Sequence, residues 1–288
     1  MSKAAEEQLL EAARQRLREK GRRGLRRMPP RPSRPEREIR SYAQALRGVA
    51  KAIEEQVRAR VFPEIDSLLA EAGTRDDGVR ADDWGDRLAD LFAATRSSVE
   101  PQLDEARRAM ESIGDEVQGK ATEEQIRAIR ATLGVRPSFY DDDQVRGILN
   151  AWKRENAAFI TRMADESVQE MMDTASRAVR SGRSNRDLRK ELRNRFGITE
   201  RRARTIARTE VSQLNAQITR ERQKEVGIDS FVWLTAGDAR VRDRHEEWGG
   251  REFDWDSPPE GIMPGDEVNC RCVARASVNR LLDKLEAE

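Results

Sequence analysis

The chain has 288 residues, of which 37% are charged, 37% hydrophobic and 5% aromatic, and its 54 Lys and Arg almost cancel its 53 Asp and Glu. No run approaches the roughly 18 consecutive apolar residues of a membrane-spanning helix, and the opening MSKAAEEQLLEAARQRLREK carries acids where a secretory signal needs an apolar core. Two cysteines exclude a disulfide framework, and abundant Ala, Arg, Glu and Leu beside few aromatics predict long, solvated helices with thin cores.

The net charge of +1 is a sum of unequal blocks. Between Arg14 and Arg34 there are ten basic residues and one acid; between Glu64 and Glu124, seventeen acids and seven basic residues; between Arg177 and Lys224, fifteen basic residues and five acids. The basic residues are 46 Arg and 8 Lys. Arginine's planar fork suits carboxylates and phosphates. A solvated helix face accounts for each block, and a polyanion or an acidic protein surface is the competing explanation for the two basic ones.

Residues 2–27 read as a helix bearing Arg14, Arg16, Arg18, Arg22, Arg23, Arg26 and Arg27. MPPRPSRPER, which includes Arg31, breaks it, because Pro29, Pro30, Pro32 and Pro35 impose extended geometry; a linker is predicted at 28–35. The stretch GRRGLRRMPPRPSR has no core-forming pattern, which predicts a segment ordered by a partner. From Glu36 to Ala72, Ile39, Ala43, Leu46, Val49 or Ala50, Ile53 and Val57 recur at three- and four-residue spacing, the mark of an amphipathic helix, with a kink expected at Pro63. After the loop AGTRDDGVRADD, Trp84, Leu88, Leu91 and Phe92 open another helix, capped by Asp82 or Asp83 and expected to end near Gly114–Gly119. Thr122 with Gln125 fits a capping box for a short helix to Leu133, followed by a break at Gly134–Pro137.

Asp141 to Arg180 reads as one long helix, with Val145, Ile148, Leu149, Trp152, Phe159, Ile160, Met163 and Val168 along one side and Gly182 beyond its end. Ser184 caps a short helix that Gly197 is expected to terminate, and Thr199 with Arg202 begins another that runs to Gly227. This corner also resembles a helix-turn-helix presenting Arg201, Arg202, Arg204 and Arg208 to a groove, although Ile198, Ala203, Ile206, Ala207 and Val211 suffice for an ordinary helical corner. After Gly227 the texture changes: IDSFVWLTA has strand character, GDARVRDRHEEWGG is a turn and short helix, REFDWD an edge strand, CRCVARASV a return strand and NRLLDKLEAE a final helix. The expected class is mostly α, with long helices and a helical N-terminal region, and a small C-terminal α+β domain. The expected segments are a basic helix and Pro-rich linker (1–35), a helical region (36–136), a long-helix stem with its corner (137–227) and the α+β domain with a final helix (228–288).

The chemistry concentrates in the last segment, in Asp238, Arg240, Arg242, His245, Cys270, Arg271 and Cys272. Cys270 and Cys272 are two apart, so in a strand both thiols face one side. With His245 and a carboxylate they offer four zinc-type ligands. Two small buried hydrophobes beside a hydrogen-bonded histidine explain the same residues. A catalytic alternative makes His245 a general base oriented by Asp238, with the arginines as phosphate clamps of a phosphodiesterase or nuclease. Asp238 also fits as the cap of the helix that carries His245.

The order ARTE (Ala207–Glu210, including Arg208 and Glu210), Gly227-Ile228, WLTAGDARVRDRH (Trp233–His245, including Asp238 and Arg240), Gly249-Gly250, a Pro-rich loop and NCRC (Asn269–Cys272) resembles the phage Mu F-like minor head protein, or head morphogenesis, family over residues 150–277. That resemblance implies a minor structural component of a tailed-phage virion, inside the capsid at the portal vertex, assembled in the host cytoplasm. It implies a role in head assembly and in DNA packaging or ejection, without turnover. The implied partners are the portal protein, other capsid or scaffolding proteins and phage DNA held non-specifically, with no membrane in the assembled head. Asp238, His245, Cys270 and Cys272 sit at the family's recurrent positions, for which a zinc site and a polar staple are both open explanations. The basic N-terminal arginines, Arg14 to Arg31, are the expected phosphate contacts.

Overall fold

A computed structural model describes residues 3–25, 28–73, 82–137, 143–181 and 183–287. Helix α1 spans Lys3–Leu25, α2 Glu36–Gln56, α3 Phe62–Gly73, α4 Asp82–Ser98, α5 Glu100–Leu133, α6 Asp143–Arg180 and α7 Asn185–Lys224. Strand β1 (Ser230–Leu234), helix α8 (Asp243–Trp248), strands β2 (Glu252–Asp254) and β3 (Val273–Ser277) and helix α9 (Asn279–Ala287) follow. The strands form an antiparallel sheet in the order β2-β1-β3, with Phe231 opposite Phe253 and Ala276. The expected class, mostly α with a small C-terminal α+β portion, is the one observed. Among the described residues no helix is long and apolar enough to cross a membrane.

Several local signals act as read. Ser184 caps α7: its hydroxyl accepts the Asp187 backbone N–H and donates to the Asp187 carboxylate. At the other end Gly227, with φ of 74°, closes α7 in a Schellman arrangement, in which the Ile228 N–H reaches the Gln223 carbonyl and the Gly227 N–H the Lys224 carbonyl. The stripe Ile39, Ala43, Leu46, Val49, Ala50, Ile53 and Val57 is buried throughout. The disturbance expected at Pro63 lies just before it, in a π-helical turn over Val57–Val61 that the Phe62 N–H closes onto the Val57 carbonyl. A proline inside a helix removes one donor and crowds the carbonyl four residues back, and a widened turn relieves that crowding.

Three expected breaks are absent. Helix α5 runs unbroken through Gly114 and Gly119, and the interruption falls between Ser98 and Glu100, just ahead of Pro101 in the first turn of α5. Gly114 is a packing glycine: a Cβ there would stand 2.9 Å from Trp152 and 3.0 Å from Leu149. Thr122 and Gln125 cap nothing. They lie mid-helix and bind α7, Thr122 Oγ1 accepting from Arg222 Nε at 3.1 Å and Gln125 Oε1 from Gln223 Nε2 at 3.1 Å. The corner at Gly197 is also absent, since α7 is continuous from Asn185 to Lys224. Leu188, Leu192, Phe196, Thr199, Ala203, Ala207 and Val211 carry one buried stripe across the glycine. That burial outweighs the ~1 kcal/mol that glycine costs within a helix. Thr199 bonds back to the Arg195 carbonyl instead of starting a helix. The helix-turn-helix reading falls with the corner.

The chain forms two compact units, each drawn from separate stretches. One comprises residues 40–111 and 154–207. It buries Leu46, Ile53, Ile65, Leu88, Phe92, Leu103, Ile160, Met163, Leu188 and Leu192, and Tyr42 Oη donates to Asn156 Oδ1 at 2.8 Å inside it. The second basic block finds acids here: Arg189 pairs with Asp66 of the acidic block at 2.8 Å, and Arg202 and Arg195 pair with Glu166 at 2.9 Å and Glu170 at 3.6 Å of α6. The other unit comprises residues 1–39, 112–153 and 208–288. Its first core gathers Leu9, Ala13 and Leu17 of α1, Ile129 and Leu133 of α5, Val226, Ile228 and Val278, and Leu281, Leu282 and Leu285 of α9. Its second core, Phe231, Trp233, Trp248, Trp255, Cys270, Cys272 and Ala274, holds the candidate site.

Candidate functional site

Helix α8 presents His245, which is only 2% exposed. The helix is set against β1 by main-chain bonds: the Gly250 N–H reaches the Trp233 carbonyl at 2.8 Å and the Trp233 N–H the Arg251 carbonyl at 2.9 Å. Trp233 meets the imidazole edge-on with centroids 5.0 Å apart, and Trp248 stacks on it at 5.3 Å. These two indoles fix the ring between them.

The cysteines arrive on the irregular segment before β3. Helix α7 positions that segment through the ARTE stretch. The Asn269 N–H, on a residue with φ of 61°, donates to Thr209 Oγ1 at 3.1 Å, and Arg208 Nη1 donates to Asn269 Oδ1 at 3.4 Å. Gly265 comes so close to α7 that a Cβ would stand 3.0 Å from the Ser212 carbonyl oxygen, and its φ of 104° suits only glycine. A turn closed by the Cys270 N–H on the Glu267 carbonyl then brings both thiols inward.

The result is a compact triad of side chains. His245 Nδ1 lies 3.7 Å from Cys270 Sγ and 3.6 Å from Cys272 Sγ, and the ligand atoms of all three residues fall within 4.8 Å of one another. Across the ring, His245 Nε2 lies 2.7 Å from Glu267 Oε2, although the two atoms are not aligned for a hydrogen bond. Arg244 and, at 3.6 Å, Arg242 also face the Glu267 carboxylate. The closeness of the two thiols lowers the Cys270 thiol below its ordinary range, while the same closeness and burial push Cys272 up. Backbone N–H groups of Cys272 and Gly265 also bond the Cys270 sulfur.

Asp238 stands outside this cluster. Its carboxylate is paired with the Arg271 guanidinium and accepts the Arg240 N–H at 3.0 Å. Those bonds, Arg271 first, hold its carboxyl well below the usual range, at about 2. It does not cap α8, whose preceding residue is Arg242. The pairing of His245 with Asp238 that a general base would need is therefore not formed; the carboxylate beside His245 is Glu267. That residue escapes sequence reasoning, because it lies in a loop without periodicity, 22 residues from its histidine.

The N-terminal arginines divide. Arg14, Arg16 and Arg18 lie off the buried Leu9–Ala13–Leu17 stripe of α1, with Arg14 paired to Glu11 at 3.4 Å. Arg31 is used internally, donating to the Thr235 carbonyl at 2.6 Å. The side chains of Arg22 and Arg23, and the whole of Arg26 and Arg27, lie outside the described residues.

Comparison with known proteins bears on the same segment. An uncharacterised protein of Haemophilus influenzae is 35% identical over 126 residues, which is 43% of this chain and 28% of that protein. The chain thus spans well under two thirds of that relative's length. No solved structure matches. Residues 169–275, from within α6 to β3 and including the ARTE stretch, His245 and both cysteines, match the family described as Phage Mu protein F like protein, the family that the ordered motifs resemble.

Proposed function

We propose that the protein is a minor head morphogenesis protein of a tailed phage, a structural component that works inside the capsid at the portal vertex. The observation that carries this reading is the family match over residues 169–275, which coincides with the ordered motifs from Ala207 to Cys272. The geometry gives those motifs structural work: Thr209 and Arg208 dock the NCRC segment, and Trp233 packs His245. In this reading the portal protein and other capsid or scaffolding proteins are the partners, and Arg14, Arg16 and Arg18 of α1 contact packaged DNA through its phosphates.

The test is co-assembly. The full chain, mixed with its cognate portal ring, is expected to co-sediment with the ring across a range of salt and to appear at that vertex in procapsid density. A chain that ignores the portal at every salt concentration refutes the proposal. DNA binding through phosphates predicts a steep linear fall of log affinity with log salt and no sequence preference. A sequence-specific footprint, or His245-dependent DNA cleavage with added divalent metal, would replace this reading with a regulatory or enzymatic one.

A further inference from the structure

We propose that His245, Cys270 and Cys272 bind a zinc ion, with His245 Nδ1 and the two sulfurs as ligands and Glu267 as the carboxylate that orients the imidazole through Nε2. The spacing fits the ion. Zinc bonds of ~2.3 Å to sulfur and ~2.0–2.1 Å to nitrogen at tetrahedral angles put a nitrogen and a sulfur about 3.6 Å apart. The observed separations are 3.7 and 3.6 Å. Two thiolates and an imidazole form a donor set that favours zinc over the hard cations, which take oxygen.

The surroundings fit as well. A histidine ligand nearly always gives its other ring N–H to a carboxylate or carbonyl, which fixes the tautomer and aims the free nitrogen at the metal. Glu267 Oε2 is 2.7 Å from Nε2, and neither atom has an aligned partner, so a small rotation on metal binding completes that bond. Backbone N–H groups already point at Cys270 from Cys272 and Gly265, the arrangement that stabilises a bound thiolate.

The need is physical. This end of the chain has three short strands and long irregular connections, and such units gain most from a cross-link. A disulfide between residues two apart would close almost no loop. A metal would tie α8 to a segment 25 residues further on. Among the described residues the cluster consists of these three ligands. Trp233 and Trp248 pack against His245 and hold its ring toward the two thiols.

The test starts with elemental analysis of the full chain purified under reducing conditions. About one zinc per chain is expected, and less than about 0.2 overturns the proposal, because structural sites bind tightly enough to survive purification. Cobalt(II) added to the chelator-stripped chain is expected to give a sulfur-to-cobalt charge-transfer band and the intense visible bands of a tetrahedral site. Absence of both overturns the proposal without any variant needing to fold. His245→Ala and Cys270→Ser should each abolish the bands, whereas Glu267→Ala should keep them with affinity weakened about 10–100-fold. Zinc retained undiminished in a Cys270→Ser/Cys272→Ser chain places the ion elsewhere and refutes the site.

Discussion

Gly114→Ala pits two effects of opposite sign against each other within one helix. Replacing an interior helical glycine normally stabilises by about 1 kcal/mol, through helix propensity and the reduced freedom of the unfolded chain. At Gly114, however, the new Cβ would lie 2.9 Å from Trp152 Cζ3, 3.0 Å from Leu149 Cδ1 and 3.3 Å from Trp152 Cε3. Neither neighbour yields easily. Trp152 and Leu149 are each 5% exposed, and the indole is tethered by its Nε1 donating to the Glu210 carbonyl at 3.1 Å. Overpacking of this kind costs about 1–3 kcal/mol, so the net expectation is a loss of about 1 kcal/mol. Gly119 lies on the same helix, and a Cβ there meets nothing within 4 Å. Gly119→Ala should therefore gain up to about 1 kcal/mol. Urea denaturation followed by circular dichroism, with midpoints compared at constant slope, reads both signs. A Gly114→Ala chain as stabilised as Gly119→Ala would refute the packing of α5 against Trp152.

Gly197→Ala should stabilise by about 0.5–1 kcal/mol, since the position is straight helix and its nearest neighbour is a flexible Arg201 tip at 3.7 Å; a clear loss of stability would restore a corner there. Arg222 is 1% exposed, pairs with Glu225 at 3.0 Å and donates to Thr122 at 3.1 Å, so Arg222→Ala, which removes a buried ion-paired guanidinium, should cost about 3–5 kcal/mol, while the joint Arg222→Met/Glu225→Leu change should cost less in the same denaturation assay. The Asp238 carboxyl has a folded-state pKa of about 2 against an ordinary 3.8, so its contribution is present above the ordinary value and is lost as pH falls towards 2. A carboxyl-carbon NMR titration should find that midpoint near 2 in the parent and near the ordinary value in Arg271→Ala; an unshifted midpoint in the parent refutes the pair.

The legible parts of this molecule are those whose causes are local. The apolar spacing from Val145 to Val168 announces α6, the Ser184 cap announces the start of α7, and Gly227 announces its end, because each signal acts within a few residues. The same residue types mislead when their cause is remote. Gly114 and Gly197 read as breakers, yet one makes room for Trp152 and the other is carried by the buried stripe around it. Thr122 and Gln125 match a capping box in spacing, but their polarity serves α7, some 100 residues away. At the candidate site the cysteine spacing and the lone histidine mark the ligands directly. Asp238 draws notice from its place in the motif, whereas the carboxylate that reaches the imidazole sits in the run GDEVNC, where nothing in the pattern separates Glu267 from any surface acid.

The packing of α1 with α9 bears on how the protein is made. Leu9, Ala13 and Leu17 share one core with Leu281, Leu282 and Leu285, so that core closes a loop of most of the chain. Contacts at such separations form late, since the closure entropy must be met before they contribute. On the ribosome, α1 emerges well before α9, and its leucines have only Ile129 and Leu133 of α5 to cover them until residues beyond 270 have been translated. During that interval the helix is open to chaperones or to a partner, and a substitution in α9 should harm yield in the cell more than its effect on the finished fold suggests.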